Sequence, residues 1–131
     1  NYCEVIGIEA RTMIDMVKRD IFPAVSRFSG ATASSVAAKK SVLADLDCSD
    51  EENLLKDLSR LTARMMKEVR ALEDALAAPT GKDAYEAAHY YRYTVFDIMG
   101  KLRAIVDELE TMTAAEAWPY PSYTDLLFSV K

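Results

Sequence analysis

One apolar seam constrains this chain more than any other feature. Ala88, Tyr91, Val95, Ile98, Leu102, Ile105, Leu109 and Met112 follow one another in steps of 3, 4, 3, 4, 3, 4 and 3. That spacing holds them on one side of a long helix and would scatter them over both faces of a strand. A stripe of this length needs partner helices to cover it. The chain supplies two of them. Ile6, Ala10, Met13, Val17, Ile21, Ala24 and Phe28 step by 4, 3, 4, 4, 3 and 4, with Val5, Ile14 and Val25 widening the face. Leu54, Leu58, Leu61, Met65, Val69, Leu72 and Leu76 form the second stripe, flanked by Leu55 and Met66.

Punctuation divides the stripes into elements. The first helix is expected from about Tyr2 to Phe28, with Gly7 leaving its first residues free to be extended and Pro23 kinking it near Arg19 to Phe22. Ser29-Gly30 reads as a stop and the small residues after it as a flexible joint, followed by a short helix from Val36 to Leu46 anchored by Val36, Leu43 and Leu46. Ser49 with Glu52 has the form of a capping box, which opens a helix to about Ala77. Pro79-Thr80-Gly81 breaks the chain, and Asp83 with Glu86 restarts it for a last helix to Glu116, where Gly100 marks either a close helix approach or simple tolerance. Beyond Ala117, Pro119 and Pro121 forbid helix. The predicted fold is all-α: an antiparallel bundle of three long helices plus one short helix, with an extended aromatic C-terminal tail. The tail residues Trp118, Tyr120, Tyr123, Leu126, Leu127 and Phe128 are the candidate interface, because a segment this apolar should dock on something.

Composition narrows the function classes. The 131 residues fit one domain, and half of them are apolar, which argues against disorder. Sixteen basic residues are interleaved with 21 acidic ones for a net charge of -5, a pattern that disfavours nucleic acid. No run approaches the roughly 20 apolar residues that span a bilayer, so no membrane partner is expected. Cys3 and Cys48 lack companions at metal spacing and read as free thiols of a cytoplasmic protein. The first residue is Asn1 with the helical pattern already under way, so the chain is expected to be a fragment of a larger polypeptide.

Glu86 and His89 form one Glu-x-x-His unit, the element that di-iron bundles use in duplicate. His89 is the single histidine, so the favoured reading is an ordinary polar residue near a helix start, and the same shortage removes a zinc site. Tyr85, Tyr90, Tyr91 and Tyr93 crowd around Arg92. The favoured reading puts Tyr91 in the core and the others over the turn end of the hairpin; the sharper one makes a binding surface. There is no glycine-rich phosphate loop and no nucleophile elbow. No catalytic, cofactor-binding or metal residue is assigned.

Beyond these patterns, two segments carry a resemblance. The run from Ile8 to Val25, with its Ile-Glu-Ala opening and Ile-Phe-Pro-Ala-Val close, is similar to the helix that follows the catalytic domain in type III glutamine synthetases. Asp107 to Glu110 followed by Trp118-Pro119-Tyr120-Pro121 through Phe128 resembles that family's C-terminal signature, and Ala87 to Arg92 its last long helix. The resemblance implies a single helical C-terminal domain, residues 1–131, of a cytoplasmic ligase of nitrogen metabolism that joins ammonia to glutamate with ATP and a divalent metal, Mg or Mn. It implies the catalytic domain of the same chain and further copies of the subunit as partners, and a fragment inactive by itself. The alternative is a self-contained helical bundle that binds a ligand or metal, with Glu86, His89 and the tyrosines at the mouth of a cavity. A third reading makes the tail or the tyrosine cluster a regulatory element of the parent enzyme.

Overall fold

The computed structural model of the protein describes residues 1–121. Among these there are three helices and no strand. The first, α1, covers residues 2–42: it is α-helical over Tyr2–Met16, passes through a π turn at Val17–Ile21, and is α-helical again over Phe22–Val42. Helix α2 is Ser49–Ala77. Helix α3 covers residues 84–112, with a second π turn at Tyr91–Val95 between Ala84–Tyr90 and Phe96–Met112. None of these helices is long and apolar enough to cross a membrane.

This corrects the expected arrangement of three long helices and one short one. The stop at Ser29-Gly30 does not occur, and the expected short helix is the far end of α1. Intrinsic propensity is overridden by packing: the second half of α1 lies along α2, and the small residues Ser26, Ser29, Gly30 and Ala33 face Leu55, Ser59 and Met66 across a shallow groove. Thr32 donates its hydroxyl to the Phe28 carbonyl at 3.0 Å, so this stretch keeps its polar groups in helical bonds. The anchors expected there are poor ones. Val36 is half-buried, while Leu43 and Leu46 are exposed.

Pro23 is accommodated by a change of helix type. Pro23 offers no N–H to the carbonyl four residues back, and the π turn just before it lets the Phe22 N–H reach Val17 O instead. The expected kink is thus an inserted residue. Gly7 is also helical and buried; a Cβ placed there would be in ordinary contact with the Tyr91 ring at 3.7 Å, and its tightest neighbour would be the flexible end of Arg11 on the same helix at 3.0 Å. Gly100 has open space where a Cβ would go, which favours tolerance over close approach.

The ends of the helices also differ in detail. Cys48 is the N-cap of α2 and makes no side-chain cap bond; Ser49 instead bonds Asp47 through both its N–H and its hydroxyl, and Glu52 pairs with Lys40 at 3.4 Å. Those two Ser49 bonds, the hydroxyl first, hold the Asp47 carboxyl below its usual range. Asp83 caps α3 as expected, accepting from the Glu86 N–H at 2.9 Å, while the Glu86 carboxylate takes the Lys82 N–H. Helix α3 ends at Met112 rather than Glu116: Thr113 is extended, and its hydroxyl donates to the Leu109 carbonyl at 2.7 Å.

The core is where the three stripes meet. Val17, Ile21 and Val25 of α1, Leu58, Leu61, Met65, Val69 and Leu72 of α2, and Val95, Leu102 and Leu109 of α3 are all essentially inaccessible to solvent. Met99 joins them and Ile98 stays half-buried, a shift of one position from the expected seam. Val5 is exposed. Lys18 with Glu73 at 2.6 Å and Lys39 with Glu51 at 3.0 Å mark the antiparallel register of α1 on α2 at two places far apart. These pairs are solvated, so they fix register more than they add stability.

Candidate interaction surface

The tail begins by folding back on the bundle. After Thr113 the chain turns through residues 114–117, and the Trp118 N–H donates to the Ala114 carbonyl at 3.1 Å. Trp118 and Tyr120 are half-buried against the core, and the Tyr120 hydroxyl donates to Asp20 Oδ2 at 2.7 Å. Asp20 lies in the first π turn, so the tail is tied to the place where α1 carries its extra residue. Desolvation, reinforced by the hydrogen bond and negative charge of Asp20, raises the Tyr120 hydroxyl to about 12. The expected extended path from Ala117 is therefore a turn followed by a docked segment. The other tail candidates, Tyr123, Leu126, Leu127 and Phe128, lie outside the described residues.

At the opposite end of the bundle the tyrosines divide. Tyr91 packs against the core, and Tyr90 beside it donates its hydroxyl to the Ala75 carbonyl at 2.7 Å, closing α3 onto the end of α2. Tyr85 and Tyr93 lie beside Thr80 and Gly81 of the turn, and their rings stay 77% and 59% exposed. His89 sits between them, with ring centroids 6.4 Å from Tyr85 and 4.5 Å from Tyr93, and the Arg92 guanidinium lies 5.6 Å from the Tyr93 ring centre.

The second π turn begins within this ladder, between His89 and Tyr93. Residues four apart in an α-helix are offset by about 40° around the axis. His89 and Tyr93, four apart across the start of the π turn, have ring centroids 4.5 Å apart and planes tilted by 44°. Tyr2, from the start of α1, meets the ladder, and the two helices enclose a solvent-open depression of about 500 Å³ lined by Tyr2, Tyr85, Ala88, His89, Arg92 and Tyr93. Further along the outer side of α1, Val5 and Ile8 are also exposed. Sequence reasoning missed the part Tyr2 plays here and the exposure of Val5 and Ile8, although the spacing of three gives a second, outward stripe on the same helix.

The chemistry available here is recognition. Glu86 uses its carboxylate on the Lys82 N–H while the His89 ring lies against Tyr93, so the two groups of the Glu-x-x-His unit have separate partners. Among the described residues no three His, Cys, Asp or Glu side chains gather where they could hold a metal ion. Cys3 is half-buried and Cys48 buried, both as free thiols.

Comparison with known proteins adds an independent line. The glutamine synthetase C-terminal domain family matches residues 1–40. The whole chain is 33% identical over 132 aligned residues to a glutamine synthetase of Butyrivibrio fibrisolvens, of which it covers 19%. It is 25% identical over 133 aligned residues to a glutamine synthetase of Bacteroides fragilis (strain YCH46), with 98% of the chain and 18% of that relative covered. The chain thus spans about a fifth of the length of these relatives. No solved structure matches it.

Proposed function

We propose that this chain, which belongs to the glutamine synthetase C-terminal domain family, is the structural and assembly domain of a type III glutamine synthetase. The parent enzyme would be a cytoplasmic homo-oligomer that ligates ammonia to glutamate with ATP and Mg or Mn, its catalytic residues lying outside this region. One observation carries the reading: a chain that is similar from end to end to a fifth of a glutamine synthetase folds into a bundle whose chemistry is that of a scaffold. The three main stripes bury against one another, the tail starts by latching onto α1, and exposed aromatics remain at one end. Rigid helices with a leftover aromatic surface suit a strut between larger parts.

Removing the equivalent of residues 1–131 from the full-length enzyme is the direct test. The expected result is a protein that sediments as smaller assemblies and loses synthetase activity with them. Full assembly with full activity after that deletion would overturn the proposal. Stoichiometric iron, manganese or zinc bound by the purified bundle would instead favour a self-contained metal-binding protein.

A further inference from the structure

We propose that the aromatic ladder of Tyr85, His89, Arg92 and Tyr93, with Tyr2 beside it, is the face on which this domain docks against the remainder of its own polypeptide. The inference rests on the assembly reading and deepens it by naming the surface and the chemistry of the partner.

The composition of the patch is that of an interface centre. Tyrosine and arginine are enriched at such centres because they present large, stiff, amphipathic area, and here Tyr85 and Tyr93 hold that area out in solvent. The group is partly ordered before binding: the His89 ring lies 4.5 Å from Tyr93 at a 44° tilt and Arg92 lies over Tyr93, so part of the side-chain freedom is already spent. The ladder runs into the π turn at Tyr91–Val95, and π turns of this kind recur where a helix has been adapted to a site. The depression between α1 and α3 gives a protruding side chain of the partner somewhere to enter.

Charge defines the partner further. Arg92 makes no ion pair among the described residues, and no carboxylate lines the depression. Glu86, the nearest acid in sequence, is committed to the Lys82 N–H. A second copy of the same patch would therefore offer Arg92 no lining carboxylate in return. The surface calls for an apolar segment that carries an Asp or Glu. About four-fifths of the length of the relatives lies outside the matched region, and the matched family is a C-terminal domain, so that length comes before it. Tyr2, in the first turn of α1, lines the patch together with residues of α3.

The test uses the full-length parent enzyme with the photo-crosslinking residue p-benzoylphenylalanine in place of Tyr93, and in parallel in place of Phe128. The expected result is a crosslink from position 93 to peptides outside residues 1–131. Crosslinks from 93 only to residues 85–93 of another copy would overturn the proposal in favour of self-association. Crosslinks to outside peptides from 128 but not from 93 would overturn it while leaving the assembly reading intact; none from either position would sink both. As a second readout, Arg92→Glu with Tyr85→Ser alters only exposed side chains. It should leave the helicity of the full-length protein unchanged while proteolytic cleavage just ahead of α1 becomes about tenfold faster. An unchanged cleavage rate would count against the proposal.

Discussion

Replacing Gly81 with alanine tests the geometry of the α2–α3 hairpin at its tightest point. Gly81 has φ of 121°, a conformation that L side chains rarely adopt, and holding a Cβ there costs about 1–3 kcal/mol. The new Cβ would also stand 2.4 Å from Glu86 Cβ and 2.6 Å from Glu86 Oε2. The carboxylate can rotate away, at the expense of its bond to the Lys82 N–H, worth roughly 1 kcal/mol. The Cβ of Glu86 is rooted in the first turn of α3 and cannot move without the helix, so the loop must yield. Together these give about 2–4 kcal/mol. Followed by circular dichroism in urea, with a slope near ~2 kcal/mol per molar, the midpoint should fall by about 1–2 M. The effect should largely survive in a Glu86→Ala background, because alanine keeps the offending Cβ. A loss below about 0.5 kcal/mol would refute the reasoning, and so would full rescue by Glu86→Ala.

Gly30→Ala and Gly100→Ala should go the other way, each raising stability by about 0.5–1 kcal/mol in the same urea assay, since both positions are helical and nothing lies within 4 Å of the added methyl. Leu102→Ala removes a side chain with no accessible surface at the centre of the bundle and should cost about 2–5 kcal/mol, read as a lower thermal midpoint. Tyr120→Phe should cost about 1 kcal/mol at neutral pH, a modest figure because the exposed Asp20 carboxylate returns readily to water. Because the folded chain raises the Tyr120 hydroxyl to about 12 from an ordinary value near 10, the contribution is complete below pH ~10 and is lost as pH rises towards 12; Tyr120→Phe should flatten that part of the wild-type-minus-variant curve.

The stripes were legible because burial follows helical period. Ile6, Ala10, Val17, Ile21 and Ala24 of the first, and Leu58 through Leu72 of the second, are buried as their spacing requires. What the period cannot tell is how the chain handles an irregular residue. Pro23 predicts a disturbance, and only the three-dimensional packing selects a π turn before it. Ser29-Gly30 reads as an end because propensity favours one; the neighbouring helix outweighs it. Ser49 has the sequence of a cap yet serves Asp47, since a short polar side chain bonds whichever partner the loop brings nearest. At the surface, the tyrosine cluster was visible as composition, but its division into packed Tyr90 and Tyr91 and outward Tyr85 and Tyr93 depends on which side of α3 meets α1 and α2.

Those π turns have a bearing on how length varies in such a bundle. Deleting one residue from a regular helix swings everything downstream by about 100° and turns its core face to water. A π turn already stores one residue more than its neighbours need, so a deletion within Val17–Ile21 or Tyr91–Val95 can convert it to a plain α turn and leave both flanking faces in place. Two of the three helices can therefore tolerate single-residue length changes in mid-helix. Gaps falling inside these two segments, where loops would ordinarily be expected to absorb them, would be the mark of that freedom among related chains.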